Sequence, residues 1–230
     1  MRIEPLPRRP VVRAFVLAGM LVAALAASIY LLQRTVDGSV EALDRAVMAA
    51  VVARRTPTLT AIALDLTALG SRTLLTIGTT LACVLLWTAK RPLAAIDTAL
   101  ASSVAAYVTR LTKLLLSRPR PDAAEQLVHA GGFSFPSGHA SGITALLTAA
   151  ALHTIEMAPS RGHRAFLASV YGLLIAGVAW SRVYLGVHYP SDVLAGLCIG
   201  VACALGAHGL VRTRVILRWI RTGTRPIAPR

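Results

Sequence analysis

Residues 181–192 read Ser181-Arg182-Val183-Tyr184-Leu185-Gly186-Val187-His188-Tyr189-Pro190-Ser191-Asp192, and they join two long apolar runs. An arginine, a histidine and an aspartate fall within this short stretch. Ionisable side chains are costly at membrane depth, so their placement between apolar runs points to a function. Two further polar clusters occupy comparable places, Lys113 to Pro121 and Pro136-Ser137-Gly138-His139.

Outward from these clusters the chain has the composition of a membrane protein. Of 230 residues, 55% are hydrophobic and only 15% charged, and the mean hydropathy is +0.64. A soluble domain carries about 25% charged residues and does not gather its apolar ones into uninterrupted runs. The formal charge of +14 would suit nucleic acid, but most Lys and Arg flank apolar runs, as membrane orientation requires. No nucleic-acid partner is expected. Cys83, Cys198 and Cys203 lie inside apolar runs without metal-ligand spacing and read as small buried hydrophobes.

The runs predict an all-α, polytopic membrane protein of six transmembrane helices. Residues 1–13 form a basic cytoplasmic tail, 14–211 a six-span membrane domain, and 212–230 a second basic cytoplasmic tail. The first span covers 14–32, long enough to cross at about 1.5 Å per residue. It continues apolar past Ala27, which favours an uncleaved span over a signal peptide. Leu43, Val47, Ala50 and Val51 recur at helical spacing within 37–55 and predict an amphipathic surface segment, its charges on a solvated face. Residues 57–72 fit either a loop or the early turns of the span at 73–89. Further spans cover 93–116, 138–157, 165–182 and 192–210, with a motif loop at 117–136. The basic tails and the turns at 90–92 and 159–164 share one side, which the positive-inside rule makes cytoplasmic. The polar clusters then open on the periplasmic or exterior side of the cell membrane.

The residue types in those clusters suit a phosphate. Lys113, Arg120 and Arg182 supply cations, and arginine adds a planar fork for phosphoryl oxygens. Ser137 and Gly138 fall where a span begins, so free N–H groups and the positive end of the helix dipole can face an anion. A neutral imidazole at His188 can attack phosphorus if Asp192 holds its far ring nitrogen, and His139 can protonate the departing oxygen. Positioning and charge stabilisation are what phosphoryl transfer requires of a protein. A competing reading makes His139, His188 and Asp192 a metal triad, but three neighbouring cations would repel a divalent ion. An anion channel would need polar residues continuing along the spans, and the runs contain few.

At this point the chain resembles a known family. Lys113-x6-Arg120-Pro121, Pro136-Ser137-Gly138-His139 and Ser181-Arg182-x5-His188-x3-Asp192 are similar, in order and spacing, to the three-part signature of the type 2 phosphatidic acid phosphatase superfamily. The resemblance implies a phosphatidic acid phosphatase/vanadium haloperoxidase-like helical bundle. It further implies metal-independent, cofactor-free hydrolysis of a membrane lipid phosphate through a phosphohistidine. His188 would be the nucleophile, His139 the acid and Asp192 the orienting group; Lys113, Arg120, Ser137, Gly138 and Arg182 would bind phosphate. Substrates of the phosphatidate, phosphatidylglycerol phosphate or polyprenyl diphosphate class fit, and some members of the superfamily transfer the group to a lipid acceptor instead of water. Arg118 sits two residues from Arg120 and assists at most. Arg110 shares a helix face with Lys113 and serves substrate entry or snorkelling. Asp97 reads as a helix-pairing residue, and His129, His153, His163 and His208 as structural or solvated.

Overall fold

The computed structural model describes residues 27–28, 30–31 and 34–222, with the side chains of 123, 156 and 213–222 excepted. Among them the chain is helical, without strands: α1 (Glu41–Val52), α2 (Pro57–Leu69), α3 (Arg72–Thr88), α4 (Pro92–Leu116), α5 (Gly138–Met157), α6 (Arg161–Tyr184) and α7 (Pro190–Thr222). A 3₁₀ turn at Ala123–Glu125 interrupts the loop after α4.

Local chemistry sets these boundaries. Pro57, Pro92 and Pro190 open α2, α4 and α7, where a missing N–H costs nothing. Thr56, Ser71, Ser137 and Ser160 cap α2, α3, α5 and α6 through side-chain oxygens. The ambiguous stretch 57–72 resolves into α2, which ends at Gly70 and meets α3 at 49°. Ser71 restarts the chain by accepting from the Leu74 N–H at 3.3 Å.

The centre of the bundle is α5, packed on α4, α6 and most extensively on α7. Gly196 and Gly200 make the α5–α7 approach possible. A Cβ on Gly196 would stand 2.7 Å from the Ser137 carbonyl oxygen, and one on Gly200 would stand 2.6 Å from Thr144 Cβ. No side chain fits there, so this glycine pair packs the chain against itself.

Helices Pro92–Leu116, Arg161–Tyr184 and Pro190–Arg212 are long and apolar enough to cross a membrane, and the bent pair α2–α3 makes a fourth such unit. Exposed Trp87, Leu115, Phe166 and Leu173 give these helices apolar outer faces. Helix α5 has the length, but its surroundings are protein: Ala140, Ser141, Ile143, Thr144, Ala145 and Ala149 are all buried. It can therefore carry hydroxyls and imidazoles that a lipid-facing helix could not. The expected first span, 14–32, lies almost wholly outside the described residues.

Helix α1 departs from the expected solvated face. Its Asp44 is 2% exposed, and the carboxylate reaches into the loops beside α7. Gly186, at φ +75°, lets the α6–α7 turn lie against the Glu125 backbone, where a Cβ would collide. These contacts draw α1, the 117–136 loop and the α6–α7 turn together at one end of the bundle.

Candidate active site

That end holds all three polar clusters. His188 lies in the turn between α6 and α7 and is 2% exposed. Its Nε2 stands 3.2 Å from Arg120 Nη1. A guanidinium only donates, so Nε2 accepts and carries the lone pair. Nδ1 then bears the proton and faces Asp192 Oδ2 at 3.5 Å, the outer limit of a hydrogen bond. Burial pushes the His188 imidazole down to about 4, with Asp192 opposing the shift. The ring is neutral throughout the physiological range, as a nucleophile must be.

Asp192 is fully buried and fully used. Oδ2 accepts from the Ser134 hydroxyl and from the Tyr189 N–H at 2.9 Å. Oδ1 accepts from Arg118 Nη1 at 2.6 Å. Arg118 in turn donates through Nη2 to Asp44 Oδ2 at 2.8 Å, and its guanidinium lies 4.4 Å from the Tyr189 ring centroid. Burial resists the Arg118 charge, but Asp192 and Asp44 outweigh it and hold the guanidinium above its ordinary value. Asp44 also accepts from the Ser191 N–H at 3.0 Å. The chain Asp44–Arg118–Asp192–His188 thus fixes the imidazole from behind.

The cations line the other side. Arg120 donates to the carbonyls of Gly131, Gly132 and Val187, and burial lowers its affinity for the proton, with Asp192 opposing. Lys113 Nζ donates to the Ser134 carbonyl at 3.1 Å and also to that of Phe133. Arg182 is 5% exposed; one Nη1 reaches the Thr67 hydroxyl, while Nε is buried without a partner among the described residues. A buried guanidinium with a spare donor is an arrangement completed by an anion.

Ser137 caps α5 and donates its backbone N–H to the Asp192 carbonyl at 2.9 Å, which ties the α5 start to the α7 start. Gly138 and His139 follow in the first turn. His139 interacts electrostatically with Arg182, His188, Arg120 and Lys113. A cavity of about 790 Å³ between α3, α4 and α5 ends at Lys113, Gly138 and His139, and Arg72, Thr76, Thr79, Ser102 and Arg110 line it. Arg110, left between two roles by the sequence, therefore borders the approach to His139.

All eight predicted site residues come together. Sequence reasoning missed Ser134 and Asp44 and undervalued Arg118. Asp44 looked like part of a solvated face, and the corrected placement is an interior anchor. Its partners are 74 and 147 positions away in sequence, so no local spacing could signal them.

Comparison with known proteins agrees with this architecture. The family model described as PAP2 superfamily matches residues 93–216. Phosphatidylglycerophosphatase B of Bacillus subtilis is 36% identical over 95 residues, covering 41% of this chain and 46% of that protein. Decaprenylphosphoryl-5-phosphoribose phosphatase of Mycobacterium tuberculosis is 35% identical over 100 residues, covering 42% and 50%. The chain thus spans about half the length of these curated relatives. The crystal structure of a transmembrane PAP2-type phosphatidylglycerolphosphate phosphatase from Bacillus subtilis superposes with a TM-score of 0.76 at 27% identity, over 84% of this chain and 96% of that one.

Proposed function

The chain belongs to the PAP2 superfamily, and from that premise we propose that it is an integral-membrane lipid phosphate phosphatase working through a phosphohistidine at His188. The observation that carries this reading is the ring of His188, pinned on its Nδ1 side by Asp192 and facing Arg120 through Nε2. The lone pair of Nε2 attacks phosphorus, and the P–O bond to the lipid breaks with its electron pair on the lipid oxygen. His139 gives that oxygen a proton. A water molecule, deprotonated by His139, then attacks phosphorus, the P–N bond breaks, and inorganic phosphate leaves with His188 restored. Lys113, Arg120, Arg182 and the N–H group of Gly138, at the start of α5 beside the Ser137 cap, stabilise the charge on the phosphoryl oxygens through both steps. None of these steps calls for a metal ion.

The substrate is a lipid whose tail stays in the bilayer. The cavity ending at His139 is bordered by helices with apolar outer faces and carries hydroxyls and arginines within. A lipid head group arrives at the depth of His188 without extraction, so the cost of exposing its chain, about 0.8 kcal/mol per CH₂, is never incurred. A water-soluble ester relies on the cations alone, and salt screens them. Substrates of the glycerolipid monophosphate or polyprenyl diphosphate class fit this approach. Measured in one detergent system, kcat/KM should be far higher for phosphatidylglycerol phosphate, phosphatidate or undecaprenyl diphosphate than for glycerol phosphate. Equal values for lipid and soluble esters would overturn the lipid assignment.

We further propose six spans with both termini cytoplasmic and the site on the outer side. Support comes from the basic residues Lys90, Arg91, Arg161 and Arg164 at the turns opposite the site, and from the basic ends of the chain. Single cysteines placed at the exposed Ala124 and at Thr222 should react with an impermeant maleimide from opposite sides of intact cells, 124 from outside. Labelling of both from the same side would break the arrangement.

A further inference from the structure

Helices α4, α5 and α7, which carry the catalytic cluster at one end, bring a second polar group together at the other. Asp97, His153 and His208 are 1%, 8% and 2% exposed. Along α7 the distance from Asp192 to His208 is about 24 Å at 1.5 Å per residue, so this group is separate from the phosphate site. Asp97 Oδ2 lies 2.8 Å from His208 Nδ1 and 2.9 Å from His153 Nε2. The two imidazoles have centroids 5.6 Å apart and are inclined by 53°.

Hydrogen bonding alone leaves this group incomplete. His153 Nε2 approaches the carboxylate without hydrogen-bond alignment, and Asp97 Oδ1 and His208 Nε2 are buried without partners among the described residues. Folded proteins rarely leave such atoms unpaired, and ionisable side chains inside a membrane bundle mark function by default. One potential ligand atom from each of the three residues lies within 4.8 Å of the others. Bonds of about 2.0–2.1 Å in a tetrahedral site set ligands about 3.3 Å apart, and the Asp97–His208 and Asp97–His153 pairs, at 2.8 and 2.9 Å, already stand near that spacing. One turn nearer the catalytic end, Ala101, Ala149 and Ala204 are fully buried and pack together. They draw the three helices close and offer no competing donor. His153 lies one turn from the end of α5 at Met157.

We propose that Asp97, His153 and His208 bind one first-row transition-metal ion of the zinc class, tying α4, α5 and α7 together at the end remote from the phosphate site. Two imidazoles and one carboxylate suit zinc, cobalt, nickel or iron and disfavour magnesium or calcium. A fourth position is left for water. The site has no part in the chemistry at His188, so stripping the ion should lower stability without lowering the initial rate of phosphate release.

The full-length protein in detergent, stripped with a chelator, is titrated with Co²⁺. The expected result is a saturable visible spectrum of tetrahedral Co²⁺ at one equivalent, bleached by Zn²⁺, with Zn²⁺ raising Tm by several degrees. His208→Gln and His153→Gln should each weaken binding by more than the roughly 10–100-fold that losing an outer-shell partner costs. Asp97→Asn should behave alike. No saturable spectrum in the unaltered protein would overturn the proposal, and so would equal Co²⁺ affinity in the unaltered protein and a folded variant.

Discussion

His188→Ala is expected to lower phosphate release from a lipid phosphate by on the order of 10⁴-fold or more, as loss of a covalent nucleophile does elsewhere. The effect should be large because no neighbouring group can substitute. His139 sits in the first turn of α5, and Asp192 is consumed by Ser134, Tyr189 and Arg118. His188→Gln supplies a control that keeps most of the volume and a hydrogen-bonding end at a position only 2% exposed. Both variants should insert and fold, with His188→Ala the less stable of the two because it removes a buried ring and leaves a cavity. In the unaltered protein, the acid limb of kcat/KM belonging to this group should lie near the depressed value of about 4, well below the ordinary imidazole value of about 6.5. The sign follows from burial: the charged form is disfavoured, so activity survives mild acid and fails only where Nε2 protonates. A fall of less than tenfold in His188→Ala would remove the nucleophile assignment.

Arg118→Met should be the most destabilising single change at the site end. Arg118 is the shared partner of Asp192 and Asp44, at 2.6 and 2.8 Å, and both carboxylates are nearly inaccessible. Methionine retains much of the stem but leaves two buried negative charges facing each other across the lost cation. Breaking one buried pair by removing a partner costs about 3–5 kcal/mol, and here two pairs share the loss. Arg118→Lys keeps the charge but not the fork and should recover only part of it. Asp44→Asn should cost less, because Asp192 keeps its arginine. Equilibrium unfolding in detergent measures the first effect. The second readout is kcat, which should fall in Arg118→Met even where the protein remains folded, because Asp192 no longer has a fixed position behind His188. A change below about 0.5 kcal/mol, the range of ordinary surface substitutions, would show that Arg118 is not holding the carboxylates.

The parts of this molecule legible in its sequence are those written at short range. Arg182, His188 and Asp192 lie within one turn and its flanks, and Ser137-Gly138-His139 marks a helix start by its own chemistry. Helix α5 was expected over 138–157 and spans Gly138–Met157. Gly196 and Gly200, four residues apart in an apolar run, are spaced to let helices approach, and in the fold they meet Ser137 and Thr144. What stayed hidden depends on long-range meetings. Asp97 was legible as a helix-pairing residue, but no spacing in the sequence points to its partner His208, 111 positions away. His153 and His208 were accordingly read as structural or solvated. Asp44 shows the same limit: helical periodicity marks Leu43, Val47 and Val51 as one face but is silent about a carboxylate at its edge. The break at Gly70-Ser71 was written in the sequence as a glycine followed by a capping serine, yet the apolar residues on either side masked it.

A covalent phosphate on His188 Nε2 can be caught by rapid-quench trapping. The protein is mixed with a lipid phosphate labelled at phosphorus and quenched in alkali on the millisecond scale, where a phosphoramidate survives. After digestion, the label should lie on the peptide containing His188 and should be released by mild acid. His139→Ala should slow its release, because the water that attacks it loses its base. Stoichiometric labelling at His188 is expected, and it should disappear in His188→Gln. Steady turnover of substrate with no trapped label, or with the label on any residue other than His188, would contradict it.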